Sequence, residues 1–203
     1  ASPMPVFTYD DELGLEALAL SAGNALRKAQ LYAAAVRSER KTAAVLSVVR
    51  ARTSGCSIQH LIKIVTESTY KLLLAERVSV YLVDRLKNEI WIVHSKDTGV
   101  AGLSLPIGQG IAGTVAANGK TINVKDCYTD KRFDSNTDKK TGYKTKTMLC
   151  MAVPGFDDAT KPVAIIQAIN KMGGVEFDND DETSLEAFCN EVMLAMRGHF
   201  LEA

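Results

Sequence analysis

Residues 168–182 read Ala168-Ile169-Asn170-Lys171-Met172-Gly173-Gly174-Val175-Glu176-Phe177-Asp178-Asn179-Asp180-Asp181-Glu182. A mostly apolar run, Val163 to Ile169, ends in Asn170-Lys171 and is followed by a Gly-Gly turn. Phe177 comes next, and after three further residues Asp181-Glu182 open an amphipathic helix. The order has a physical logic. A lysine leaving a strand can close a salt bridge with an aspartate in the first turn of the next helix, where the helix dipole also favours a carboxylate. Phe177 would plug the gap beneath that bridge. Taken alone, the Asn-Lys pair fits any strand–turn–helix; the whole ordered set is more specific.

Outward from this stretch the chain divides in two. From Asp10 to Ala51 there is no proline, and Gly14 and Gly23 are the only glycines. The segment is rich in Ala, Leu, Arg, Lys and Glu, strong helix formers. Leu13, Ala17 and Leu20, then Leu31 and Ala35, then Val45 and Val49 recur at helical spacing, with Asn24 and Arg27 interrupting the stripe. About forty helical residues would reach roughly 60 Å, more than one compact domain buries, so a connector or dimerisation element is expected. After a break at Thr53-Ser54-Gly55 the pattern predicts a helix over 57–74, strands over 77–84 and 89–95, a short extended piece at 103–106, and a short helix over 111–118 closed by Gly119. A short strand at 121–124, a polar loop with a helical turn over 125–146, strands at 148–153 and 163–169, and a terminal helix over 180–201 complete the reading. Antiparallel strands between N- and C-terminal helices give an α+β, three-layered fold.

Composition narrows the function classes. The 203 residues carry 24 basic and 24 acidic side chains, so the formal net charge is zero and no footprint for nucleic acid or an anionic membrane is present. No apolar run approaches the roughly 20 residues that span a bilayer. The four cysteines, Cys56, Cys127, Cys150 and Cys189, lie far apart without a C-x-x-C pair, which argues against zinc and against a disulfide framework. Cys150 and Cys189 sit in apolar patterns and read as small buried hydrophobes. A reducing, cytoplasmic compartment is expected.

The set Asn170-Lys171…Phe177…Asp181-Glu182 resembles the N-K-x(n)-F-x3-D-E signature of GAF domains in cyclic-nucleotide phosphodiesterases and related adenylyl cyclases. The resemblance implies the GAF fold, a central antiparallel sheet flanked by helices. Phe7-Thr8-Tyr9-Asp10-Asp11-Glu12 repeats the F-x3-D-E part ahead of another Ala/Leu-rich helix. From that repeat, residues 1–52 are expected to be the end of a preceding GAF module plus a long connecting helix, and residues 53–203 a GAF domain, the second of a tandem pair.

The candidate ligand site follows from three segments. Gly108-Gln109-Gly110-Ile111-Ala112-Gly113 is a weak G-x-G-x-x-G match, because it follows no buried parallel strand, and it is no G-x4-G-K-[ST] loop. It can still bind an anion through helix N-terminal amides. The resemblance assigns the amides of Ile111 and Ala112 to a cyclic phosphate. It also maps Asp130-Lys-Arg-Phe133-Asp134…Asp138…Thr141-Gly142-Tyr143-Lys144-Thr145 onto a lid, with Phe133, Asp134, Asp138, Thr141 and Thr145 at lid or pocket positions. Thr141 and Thr145, four apart, would share one face of a helical turn. From the strands, Ser79 and Gln167 correspond to positions that present polar groups to the ligand. At the end of the second strand, where some guanine-binding members carry an aspartate, this chain has Ser95-Lys96-Asp97. Lys96 there would donate to adenine N1, whereas Asp97 in a shifted register would accept from guanine; the reading leans to adenine.

Catalysis by this chain is not expected. His60, His94 and His199 share no metal-ligand spacing, no metal site is read, and no serine or cysteine sits in a nucleophile elbow. Cys127 is the nearest candidate for chromophore attachment but lies outside the usual lid context. The leading reading is a regulatory sensor of cyclic AMP or cyclic GMP without a cofactor, forming a homodimer through the long helix and attached to an output catalytic domain. That output is a phosphodiesterase, with an adenylyl cyclase as second choice. The alternative is a GAF module without ligand that only dimerises.

Overall fold

The computed structural model describes residues 6–95 and 102–201, and within these the side chains of all but Ser95, Thr137, Lys140, Thr141, Phe200 and Leu201. Residues 1–39 and 40–203 form two separate compact units.

Helix α1 spans Tyr9–Thr53. Its start is closed by a capping box: the Thr8 amide donates to Asp11 Oδ2 at 2.8 Å, and the Asp11 amide returns to Thr8 Oγ1 at 3.3 Å. Through the first unit the leucines stay exposed, and they do not form one stripe. At 100° per residue Leu13, Leu20 and Leu31 share one side, while Leu15, Leu18 and Leu26 lie on roughly the opposite one. The interrupted stripe read from sequence is therefore half of a two-sided pattern.

In the second unit the last turns of α1 bury Ala44, Val48 and Ala51. Helix α2, Ile58–Leu73, begins at Ser57, whose hydroxyl accepts from the His60 amide at 3.3 Å, and ends at Leu74 in the left-handed region. Strands β1 (Ala75–Asp84), β2 (Glu89–Ser95), β3 (Ser104–Pro106), β4 (Ile122–Val124), β5 (Met148–Val153) and β6 (Ala164–Lys171) make one sheet in the order β3-β2-β1-β6-β5-β4. Every neighbouring pair is antiparallel. Helix α3 (Gly110–Asn118) precedes β4, a 3-10 turn (Cys127–Thr129) and helix α4 (Asn136–Thr141) fill the polar connection before β5, and α5 (Asn179–Leu201) ends the described chain.

Strand alternation sorts the core into two layers. Val78, Val80, Leu149, Met151, Val153, Ile166 and Ala168 point to one face and join α2, α5 and the end of α1 through Leu61, Val65, Leu185, Phe188 and Val192. Tyr81, Ile90, Ile92, Met148, Cys150, Ala152 and Ile165 point to the other, where α3 contributes Ile111, Ala112, Val115 and Ala116. The α+β, three-layer architecture expected from the sequence is what forms. Element limits shift by a residue or two; β1 starts at Ala75 and β6 runs on through Asn170 and Lys171 because Ala75 and Lys171 still pair.

Candidate functional site

The signature stretch closes as its chemistry suggests. Lys171 leaves β6 and its ammonium bonds Asp181 in the first turn of α5, with Asp178 at 3.7 Å as a second carboxylate. The Asp178 amide donates to Asp181 Oδ2 at 2.8 Å and the Asp181 amide to Asp178 Oδ1 at 2.9 Å, the same reciprocal cap that opens α1. Phe177 is 2% exposed beneath this junction, whereas Phe7, its counterpart in the N-terminal repeat, is 93% exposed. Glu182 is tied in from β4: Asn123 Nδ2 donates to its Oε1 at 2.7 Å and to the Phe177 carbonyl at 2.9 Å.

Asn170 does more than precede the lysine. It sits at φ 51, a left-handed conformation that Asn tolerates better than most side chains. From there its Oδ1 accepts the amides of Lys146 at 2.7 Å and Thr147 at 3.2 Å. Its Nδ2 reaches Glu76 Oε2 at 3.0 Å, the Tyr143 hydroxyl at 2.8 Å and the Lys144 carbonyl at 2.9 Å. Tyr143 also donates to Glu76 Oε2 at 2.6 Å, and Arg77 stacks 3.5 Å from its ring centroid. The Tyr143 and Asn170 bonds hold the Glu76 carboxyl below the usual range. Burial raises the Tyr143 phenol above its own, with the bond to Glu76 adding to it. One asparagine thus fastens residues 143–147 to the sheet.

On the α3 side, Ser79 and Gln167 lie opposite each other across β1 and β6, and Gln167 lies opposite Cys150 on β5. Both polar side chains are buried. Helix α3 packs across this face, and Gln109 offers its first turn no side-chain cap. The glycines of 108–113 have separable jobs. Gly108 at φ 94 and Gly110 at φ 69 turn the chain into the helix. Gly113 is required by closeness, since a Cβ there would stand 2.8 Å from the Pro106 carbonyl.

The lid residues mostly hold one another. Asp138 is buried, and its carboxylate accepts the Thr145 amide at 2.7 Å, the Thr145 hydroxyl at 2.8 Å and the Tyr128 hydroxyl at 3.0 Å. The bond to Asp138 raises the Tyr128 phenol. Phe133 is half-buried against the α3-side core, its ring 5.4 Å from that of Tyr128. Asp134 is exposed and accepts the Asn136 amide at 2.9 Å, shaping the entry to α4. Thr141 closes α4, and Lys96 lies outside the described residues. Ser79, Gln167, Ile111, Ala112 and Phe133 therefore border one face of the sheet. Asp138 and Thr145 brace each other, and Asp134 stands outside. Tyr81, Tyr128, Glu76 and Asn123 were not singled out from the sequence. Tyr81 alternates with Ser79 and Val83 as any inward strand residue does, and nothing in the pattern around Glu76 marks its long-range partners.

Burial pushes the Cys127 thiol up to about 12, with Asp130, Asp126 and Asp138 adding to it, which disfavours the thiolate. Among the described residues no group of three or more His, Cys, Asp or Glu is arranged to hold a metal ion, and no helix is long and apolar enough to cross a membrane.

The six-stranded antiparallel sheet thus has helices on both faces, a short helix without a side-chain cap over buried polar strand positions, and an ion pair closing its strand–turn–helix junction. The chain belongs to the GAF domain family, whose model matches residues 57–196. Over 142 residues it is 36% identical to the dual 3',5'-cyclic-AMP and -GMP phosphodiesterase 11A of Takifugu rubripes, covering 61% of this chain and 16% of that protein. The dual 3',5'-cyclic-AMP and -GMP phosphodiesterase 11 of Drosophila melanogaster is 28% identical over 196 residues, 90% of this chain and 13% of that protein. The chain thus spans less than a fifth of these relatives. Among solved structures, the GAF domain of a phosphoenolpyruvate-protein phosphotransferase from Coxiella burnetii superposes with a TM-score of 0.69 at 13% identity, covering 81% of this chain and 96% of that one. That likeness shows the fold alone.

Proposed function

We propose that residues 40–203 form a regulatory cyclic-nucleotide sensor, with cyclic AMP preferred, in a chain whose output is a cyclic-nucleotide phosphodiesterase. The observation that carries it is the pairing of Ser79 with Gln167, two buried polar side chains in register on the face that α3 covers with an uncapped N-terminus. Within the protein the Gln167 carboxamide meets Tyr81 and the weakly accepting Met148 thioether, so its NH2 keeps a donor for a ligand on that face. The α3 amides of Ile111 and Ala112 would take the cyclic phosphate, and Ser79 and Gln167 polar atoms of the nucleoside. Phe133 would stack or pack against it under a lid braced by Asp138 and Thr145, with Thr141 on the same lid. Names printed for the relatives support this ligand class, since both act on cyclic AMP and cyclic GMP. No step of catalysis is assigned to this chain.

Sensing requires that ligand bind one conformation better than another. The lid exit is fastened by Asn170, the residue before Lys171, and Lys171 is fastened to α5, so lid position and α5 position share one junction. Self-association through the exposed leucines of residues 6–39 belongs to the same proposal, as does a cytoplasmic location, which suits the four unpaired cysteines. A purely structural dimerisation module is the competing reading. Thermal unfolding of the full chain separates them: saturating cyclic AMP should raise the midpoint by more than cyclic GMP, and 5'-AMP should leave it unchanged. No shift with either cyclic nucleotide would leave the structural module.

A further inference from the structure

We propose that Tyr81 is a positioning residue that fixes the Gln167 carboxamide as a hydrogen-bond donor toward the ligand, so that the site selects a nucleotide edge offering an acceptor. This rests on the sensor reading above and adds to it the origin of base preference.

Tyr81 is buried on the α3-side face, and its hydroxyl donates to Gln167 Oε1 at 2.6 Å. Burial raises the phenol, which stays protonated and available as a donor. The other end of the same carboxamide, Nε2, lies 2.7 Å from Met148 Sδ. The two neighbours agree on one orientation. Turning the amide over would set its carbonyl oxygen against the lone pairs of a thioether and remove the acceptor of the buried phenol O–H, a group that is costly to leave unpaired. An NH2 group carries two donors, and a thioether accepts only weakly. Gln167 therefore presents unsatisfied donor capacity in the middle of the polar pair it forms with Ser79.

A donor fixed at Gln167 suits adenine N1, which is an acceptor, and opposes the N1–H and N2–H2 donors of guanine. The preference for cyclic AMP would then come from Tyr81 acting through Gln167, with no contribution required from the end of β2.

The test uses the full 203-residue chain as wild type, Tyr81→Phe and Gln167→Glu. Without ligand, a nuclear Overhauser contact between the Gln167 side-chain NH2 and the Met148 methyl is expected in the wild type and should weaken in Tyr81→Phe. By calorimetry, Tyr81→Phe should shift the ratio of cyclic AMP to cyclic GMP affinity toward cyclic GMP by about tenfold, the size of one hydrogen bond. Gln167→Glu, which can only accept, should shift it further the same way. Equal weakening of both nucleotides by Tyr81→Phe would show a merely structural tyrosine and overturn the inference. So would a wild type whose Gln167 NH2 gives no contact to Met148, whatever the nucleotides do. A wild type that shows the contact but binds neither nucleotide would sustain the fixed amide and overturn both its role in selection and the proposed function. Should Gln167→Glu not fold, the near-isosteric Tyr81→Phe decides.

Discussion

Single side chains at the signature junction carry unusual weight because each serves several partners. Lys171 and Asp181 are 10% and 7% exposed, so removing one leaves the other charged and nearly dry. Asp181→Ala is expected to destabilise the domain by about 3 kcal/mol, the low end for breaking a buried pair, because Asp178 remains as a second carboxylate for Lys171. Equilibrium urea unfolding measures it, and a loss under about 1 kcal/mol would mean that Lys171 reaches water instead. Glu76 gives a pH dependence of defined sign. Its folded pKa lies below the ordinary glutamate value, so the stability it contributes is present above that value and is lost as pH falls through the folded one. Between about pH 5 and pH 3 the wild type should therefore lose stability more steeply than Glu76→Gln, and parallel curves would contradict the Tyr143–Glu76–Asn170 arrangement. Much of this scale was legible in sequence: Asn170, Lys171, Phe177 and Asp181 could be placed because they are close in the chain and ordered by strand and helix grammar. Tyr81 and Gln167 were not connected, being 86 residues apart, and neither were Glu76 and Asn170. Hydrogen bonds across non-consecutive strands leave no local pattern.

At the scale of elements, α3 is positioned by contact rather than by capping. Gly113 allows its backbone to lie against the Pro106 carbonyl, and the Gly108 amide bonds the Gly113 carbonyl at 2.8 Å. Gly113→Ala should push the N-terminal turn of α3 off the sheet. Stability should fall by about 1–3 kcal/mol, and nucleotide affinity should fall more than it does for Gly14→Ala, where a Cβ meets nothing within 4 Å. Paired unfolding and binding measurements on the two variants check this; equal behaviour would remove the special role of Gly113. Helix α4 is legible in sequence only as a helical turn. Asn136–Thr141 has no apolar periodicity, and its place is fixed by the buried carboxylate of Asp138 meeting Thr145 and Tyr128. Helix α1, by contrast, was legible through length and composition. Its burial of Ala44, Val48 and Ala51 was not, since those small residues look like any others in an alanine-rich helix. A chain beginning at Arg40 should keep the unfolding midpoint of the domain but sediment as a smaller species than the full chain at equal concentration. An unchanged association state would move the self-association surface away from residues 1–39.

For the whole molecule, the fold follows from antiparallel strands whose two faces are covered by different sets of helices, and the covering sets divide the labour. On the face toward α2 and α5 a gap of about 10 Å³ among Leu61, Val65, Ile166 and Val192 is too small for any nucleotide. The buried Ser79 and Gln167 lie on the opposite face, beneath α3, while the polar Asn123 of β4 donates to Glu182 of α5. A GAF fold alone does not name a ligand, so the claim rests on the buried Ser79–Gln167 pair beneath α3. Isothermal titration of the full chain with cyclic AMP and with cyclic GMP tests it most directly. Saturable binding of one nucleotide per chain is expected, with cyclic AMP the tighter. Absence of detectable heat with either nucleotide at millimolar concentration would contradict the sensor and leave a structural module.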